Sequence, residues 1–286
     1  MDTITRLGVV GCGLMGSGIA EIAACRGLDV LVAEATRAAA QAGRRRITAS
    51  LDRAVRRGKL TEELRDQALA RLAFTHDRGD LANRQLVIEA IAENRDLKTE
   101  VLRALDKTVT DPQAILASNT SSIPIIDLAS VTTRPEQLLG MHFFNPVPVQ
   151  PLVELIPALT TSRQTLERAR HFATEQLGKQ VVQAPDRAGF VVNALLIPYL
   201  LAAVRMVENV AAGVEDIDHG MELGCAHPMG PLRLLDLIGL DTAQAIAESM
   251  YEEFKEPLYA PPALLRRMVA GGRLGRKSGQ GFYTYG

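Results

Sequence analysis

Cysteine is scarce in this chain, and so is any excess of charge of one sign. The three cysteines, Cys12, Cys25 and Cys225, form no C-x-x-C pair and are odd in number, which suits a reducing compartment better than a disulfide framework. They read as small buried packing residues. A formal net charge of -1 gives no global field for nucleic acid or a membrane surface, so a charged partner has to be met by a local cluster. Long apolar runs are missing too. The longest, Gly189–Val204, is shorter than the roughly 20 residues of a bilayer span and contains Asn193 and Pro198, so it reads as a core helix. His76, His171, His219 and His227 show no metal-ligand spacing, and there are no internal repeats. Too few residues precede the first apolar run for a signal or transit peptide, and a cytoplasmic location is the expectation.

What is present is enough core for one large domain or two ordinary ones: 286 residues, 47% of them hydrophobic and 23% charged. Near the start, Gly11-Cys12-Gly13-Leu14-Met15-Gly16 fills G-x-G-x-x-G. The strand Leu7–Val10 precedes it and helical spacing over Leu14–Cys25 follows. In that order the first glycine permits a tight turn, the second lets backbone approach a pyrophosphate, and the third packs helix on sheet. The helix N-terminus then faces the phosphates. Glu34 ends the next strand, twenty-three residues after Gly11. A carboxylate there accepts hydrogen bonds from an adenosine ribose diol and repels a phosphate esterified to it, which favours NAD over NADP; Arg37 nearby would act the other way.

Arg37–Ala70 reads as an inserted helical hairpin, broken at Gly58-Lys59-Leu60-Thr61, with Thr61 capping the second helix. Short apolar runs recur at Leu72–Thr75, Leu86–Ile91, Ile115–Ala117, Leu138–Phe144, Leu152–Ile156 and Gln180–Gln183, separated by helix-length segments such as Asp96–Thr108 and Ser162–Gly178. The alternation predicts an α/β fold, a mostly parallel sheet whose last strands can turn antiparallel. At Ala184-Pro185-Asp186-Arg187 the pattern changes. Helices alone follow, over Phe190–Ala212, Glu215–Leu223, Leu232–Ile238, Thr242–Phe254 with Asp241 as cap, and Ala263–Ala270. The expected division is residues 1–184, with the hairpin at about 37–70, and an all-α domain at 185–286. Its leading helix is too apolar for a surface helix and is expected to pack inside the domain and contribute to a homodimer interface.

His142 stands alone in Leu-Leu-Gly-Met-His-Phe-Phe, at the carboxyl end of a strand where ligands bind in an open α/β sheet. Twelve residues on, Glu154 is isolated in Leu-Val-Glu-Leu-Ile, and a buried carboxylate needs a partner. The pair either braces two strands or makes a general base, the carboxylate fixing the tautomer and stabilising the imidazolium. Ser121 follows Ile115–Ala117 and either caps a helix or bonds a substrate oxygen. Asn193 in the apolar helix needs amide partners: a neighbouring carbonyl, or a substrate oxygen in a cleft between the domains. Arg46, Ser50, Arg53 and Arg57 fall at steps of four, three and four, one helical stripe, with Arg44, Arg45, Arg56 and Lys59 around it and Asp52 the sole acid. Such a stripe is a solvated face or a receptor for phosphates.

Eight blocks in one order carry a family resemblance: Gly-Cys-Gly-Leu-Met-Gly-Ser-Gly-Ile-Ala, Val-Ile-Glu-Ala-Ile-Ala-Glu-Asn, Ala-Ser-Asn-Thr-Ser-Ser, Gly-Met-His-Phe-Phe-Asn-Pro-Val-Pro, Leu-Val-Glu-Leu-Ile, Gly-Phe-Val-Val-Asn, His-Pro-Met-Gly-Pro and Gly-Arg-Lys-Ser-Gly-Gln-Gly-Phe-Tyr. Over nearly its whole length the chain resembles the 3-hydroxyacyl-CoA dehydrogenase family, in particular its short bacterial 3-hydroxybutyryl-CoA dehydrogenases. The resemblance implies a Rossmann-type sheet with an inserted hairpin and a helical dimerisation domain. It implies His142 as catalytic base, Glu154 as its partner, and Ser121 and Asn193 as substrate-positioning groups. Glu93, Lys98, Asn145 and Lys277 are implied to line the NAD cofactor or its surroundings, alongside Gly11, Gly13, Leu14, Met15, Gly16 and Glu34. Ser50, Arg53, Arg57 and Lys59 are implied to receive the coenzyme A phosphates. The implied reaction is reversible oxidation of a short L-3-hydroxyacyl-CoA. Alternatives are a dehydrogenase of a hydroxy acid without coenzyme A, such as L-gulonate, and a non-catalytic NAD-binding protein. Three departures from the family pattern, Ala188 for proline, Ala194 for arginine and Pro151 for lysine, bear on hinge stiffness, dimer contacts and acyl preference.

Overall fold

The computed structural model describes residues 3–286. They divide into two units, the first ending at Asp186 and the second running Arg187–Gly286. The first starts with β1 (Arg6–Val10), α1 (Leu14–Cys25) and β2 (Asp29–Ala33), then the hairpin α2 (Arg37–Arg56) and α3 (Glu62–Ala70). It continues through β3 (Leu72–Thr75), β4 (Leu86–Glu89), α4 (Arg95–Thr108), β5 (Ile115–Ser118), α5 (Ile125–Ala129), β6 (Leu138–Phe143), β7 (Leu152–Pro157), α6 (Arg163–His171) and β8 (Gln180–Gln183). The eight strands form one sheet in the order β3-β2-β1-β4-β5-β6-β7-β8. Every neighbouring pair is parallel except β6 with β7. The order reverses between β1 and β4, which opens a crevice at the carboxyl edge of the strands.

The inner strands are buried over nearly their whole length, as a parallel sheet covered on both faces requires. Their core joins Leu7, Val9, Val30, Val32, Ile88, Ile115 and Phe143 to Ile19 and Ala23 of α1 and Ile47 and Leu51 of α2. Thr61 caps α3 by accepting from the Leu64 amide, and Asn94 caps α4 by accepting from the Leu97 amide. The helix expected over residues 162–178 is α-helical only to His171, then widens to a π-turn over Phe172–Gln176.

The second unit contains α7 (Val192–Glu208), α8 (Val214–Cys225), α9 (Pro231–Ile238), α10 (Leu240–Phe254) and α11 (Ala263–Ala270). The first of these starts later than the expected Phe190, because Gly189 (φ 85°) and Phe190 (φ 50°) both stand in the left-handed region. It ends before the expected Ala212, where Val210 has φ 54°. Asp241 is not the cap of α10: Gly239 holds that position and Asp241 lies in the first turn. Two of the three cysteines also depart from expectation, since Cys12 is buried but Cys25 and Cys225 are exposed. No helix among the described residues is long and apolar enough to cross a membrane.

Asp236, 1% exposed in α9, fastens the end of the chain. Its carboxylate accepts from the amides of Phe282 (2.9 Å) and Tyr283 (3.0 Å) and the hydroxyl of Tyr285 (2.9 Å). Removing one charged acceptor leaves three donors unpaired, so Asp236→Ala should cost roughly 3 kcal/mol, or more, of stability. Urea denaturation of variant and wild type checks this through the shift in midpoint.

Candidate active site

The glycine turn sits at the crevice. Gly11 (φ 90°) donates its amide to Ala33 at 2.9 Å, which ties the turn to the end of β2. A Cβ on Gly16 would overlap the carbonyl oxygen of Gly11, so this glycine is what lets α1 lie against the turn. Gly13 differs: it holds the N-cap of α1 without a side-chain cap, and a Cβ there would meet nothing within 4 Å. Leu14 is 62% exposed, and Met15 is half-buried. The first amides of α1 therefore face open space at the positive end of the helix. Glu34, just past β2, accepts from the amide of Cys12 and from that of Ala35 at 3.3 Å. Burial, and then the Glu34 carboxylate, push the Cys12 thiol up to about 12, so it is a neutral packing group. A backbone cradle for a pyrophosphate and a carboxylate for a ribose diol fit a dinucleotide.

His142 and Glu154 face each other as register partners across the antiparallel β6–β7 pair. His142 is 5% exposed and Glu154 fully buried, and Nδ1 lies 2.7 Å from Oε2 of the carboxylate. The pairing places the N–H on Nδ1, which leaves Nε2 as the basic nitrogen. The Ser121 hydroxyl stands 3.1 Å from that nitrogen. Ser121 is no helix cap, because α5 starts at Ile125 and its first amides, Ile125 and Ile126, donate to the Asp186 carboxylate at 2.6 and 2.8 Å.

Glu93 holds the loop bearing Ser121. One of its oxygens accepts from the Thr120 hydroxyl (2.5 Å), the Ser121 amide (2.9 Å) and the Ser122 hydroxyl (3.2 Å). Lys98 is fully buried, with Nζ 2.7 Å from Glu89 and 3.4 Å from Glu93. The second oxygen of Glu89 accepts from the Ser118 hydroxyl at 2.6 Å. Sequence reasoning passed over Glu89; its signal was a carboxylate closing the apolar strand Leu86–Glu89. Asn145 is exposed in the loop after β6. His142, Glu154, Ser121, Glu93 and Lys98 thus assemble along the carboxyl edge of the sheet. Asn193 and Lys277 belong to the helical unit: Asn193 is 7% exposed in the first turn of α7, and Lys277 pairs with Asp241 at 2.6 Å.

The arginine stripe is split by the fold. Arg46 donates to the Cys12 carbonyl at 2.6 Å and so braces the glycine turn. Ser50, Arg53 and Arg57, with Lys59, line a cavity of about 830 Å³ between the hairpin, α1 and the loop after β6, where Pro151 also lies. Asp52 pairs with Arg65 at 3.4 Å.

A carboxylate-backed imidazole on the edge of a sheet that cradles a dinucleotide equips the first unit as a nicotinamide-dependent dehydrogenase. The family model described as 3-hydroxyacyl-CoA dehydrogenase, NAD binding domain, matches residues 6–187, and that of the C-terminal domain matches residues 189–285. The chain belongs to the 3-hydroxyacyl-CoA dehydrogenase family, and NAD is its cofactor. It is 59% identical over 284 residues to a 3-hydroxybutyryl-CoA dehydrogenase of Mycobacterium tuberculosis, covering 99% of each chain. Among solved structures it is similar to M. tuberculosis FadB2, with a TM-score of 0.99, 59% identity and full coverage of both chains. The (S)-3-hydroxybutyryl-CoA dehydrogenase PaaH1 of Ralstonia eutropha matches with a TM-score of 0.93 and 47% identity, over 99% of this chain and 100% of that one.

The second and third glycines of the turn should separate folding from binding. Gly16→Ala forces a backbone overlap and should lose about 3 kcal/mol or more. Gly13→Ala should stay within about 0.5 kcal/mol of wild type in stability while weakening NADH binding. Thermal unfolding and a fluorescence titration with NADH read the two effects; a Gly16→Ala protein as stable as wild type would contradict the packing argument.

Proposed function

We propose that the protein interconverts a short-chain L-3-hydroxyacyl-CoA, 3-hydroxybutyryl-CoA in the first instance, and the corresponding 3-oxoacyl-CoA. The observation that carries this reading is the hydrogen-bonded series Ser121–His142–Glu154 at the sheet edge. Nε2 of His142 takes the hydroxyl proton of the substrate, and Glu154 stabilises the imidazolium that results. Bound NAD supplies the acceptor for the hydride that leaves the same carbon. In the reverse direction the imidazolium returns its proton to the carbonyl oxygen. Ser121 positions that oxygen, and Asn193 is its second positioning group. Glu93 and Lys98 shape the cofactor's surroundings through the Ser121 loop, while Asn145 and Lys277 are cofactor-side contacts.

Ser50, Arg53, Arg57 and Lys59 receive the coenzyme A moiety in the cavity beside the hairpin, where guanidinium groups suit phosphate oxygens. Exposed apolar side chains on the helical unit, Leu195 (75%) and Leu223 (84%), support a homodimer formed through that unit. A cytoplasmic setting accords with free thiols at Cys25 and Cys225.

Purified protein mixed with NADH and acetoacetyl-CoA should oxidise the cofactor rapidly, with free acetoacetate and NADPH as poor substitutes. Absence of turnover alongside measurable NADH binding would sink the reading. His142→Ala should lower kcat by about a hundred- to ten-thousand-fold while NADH still binds. Arg57→Glu should raise KM for acetoacetyl-CoA by about tenfold or more, since it reverses a charge facing phosphates; steady-state kinetics with each variant read both.

A further inference from the structure

The cavity beside the hairpin holds a carboxylate that the proposed reaction does not use. Glu21, in α1, lines it and is 6% exposed. Among the described residues no ammonium or guanidinium lies within ion-pair distance of its oxygens. Its partner is the Ser50 hydroxyl, which donates to Oε1 at 3.1 Å. A serine has one proton and two acceptor lone pairs. Once that proton is committed to a carboxylate, Ser50 offers the cavity lone pairs only, and a phosphate oxygen, which is also an acceptor, gains nothing from it.

We propose that Glu21 is a specificity-determining positioning residue: by holding the Ser50 proton it makes Ser50 an acceptor that selects an N–H or O–H donor on the nucleoside part of coenzyme A, and it leaves the phosphates to Arg53, Arg57 and Lys59. The inference rests on the coenzyme A reading of this cavity. It refines that reading at one point, since Ser50 recognises the nucleoside rather than a phosphate.

The arrangement is sensitive to protonation. Burial pushes the Glu21 carboxyl up to about 7, against the opposing pull of its bond to Ser50 and of Arg53. Cys25 and Arg26 at the end of α1, Arg57 and Lys59 at the end of α2, and Lys179 before β8 also face the cavity. Cys25 is itself pushed up to about 11, so it stays neutral across this range. Above about 7 the ionised carboxylate takes the Ser50 proton. Below it the carboxyl carries its own proton and releases the serine hydroxyl to donate.

Kinetics with acetoacetyl-CoA and with acetoacetyl-pantetheine, which lacks the nucleotide, test this at pH 6 and pH 8. At pH 8, Glu21→Ala should raise KM for acetoacetyl-CoA about tenfold, the scale of one hydrogen bond, with kcat and the pantetheine KM little changed. Glu21→Gln, whose amide oxygen still accepts the Ser50 proton, should recover most of that loss and remove the difference between pH 6 and pH 8. Ser50→Ala should match Glu21→Ala, and the double variant should add nothing further. If Glu21→Ala fails to fold, Glu21→Gln and Ser50→Ala carry the test. An unchanged acetoacetyl-CoA KM, or equal losses on both substrates, would overturn the inference. No turnover and no binding of free coenzyme A by the wild type would instead overturn the coenzyme A reading, and this inference with it.

Discussion

A carboxylate with no access to water has to be paired, and in this protein Glu89 meets that constraint in a way that organises the whole sheet edge. It closes β4 fully buried, and its two oxygens draw in Lys98 from α4 and Ser118 from β5. Lys98 in turn leans toward Glu93, which gathers Thr120, Ser121 and Ser122 into a fixed loop. The histidine on the next strand then meets a serine that is already placed. Breaking one member of such a buried network leaves another charge uncompensated, a cost of several kcal/mol. Geometry at Nε2 of His142 is therefore inherited from a residue two strands away.

Much of this was legible in the sequence, for reasons of period and punctuation. The strand runs stood out because a parallel sheet buried on both faces needs continuous apolar segments. The glycine turn stood out because three glycines at fixed spacing between a strand and a helix have few other uses. Thr61 announced the second hairpin helix, with Glu62 and Glu63 in its first turn. His142 and Glu154 were conspicuous as lone polar residues in apolar runs, and their antiparallel register turned a spacing of twelve into direct contact.

What escaped depended on contacts between distant segments. Glu21 carries no signal of its own in the sequence, and only the fold of the hairpin over α1 buries it beside Ser50. Glu89 lay unmarked inside the apolar run Leu86–Ile91, and only the structure ends the strand on it. Asp241 resembled a cap, but the left-handed Gly239 takes that place and frees the aspartate for Lys277. The stripe on α2 was visible as a period, yet its division between Arg46 and the residues beyond it follows from where the glycine turn lies in space. Ala188, which departs from the family's proline, donates its amide to Glu253 at 2.7 Å. A proline has no such proton to give, so the substitution brings a bond with it.

The division along α2 has a bearing on protein engineering. One uninterrupted helix of twenty residues clasps the cofactor turn through Arg46 and carries the cavity-facing Ser50 and Arg53 further on. A designer who transplants this segment to reshape the cavity also transplants a clamp on the glycine turn. The smallest exchangeable cassette is thus the helix together with the strand–turn–helix it grips, and library designs that shuffle the two separately cut across a mechanical unit.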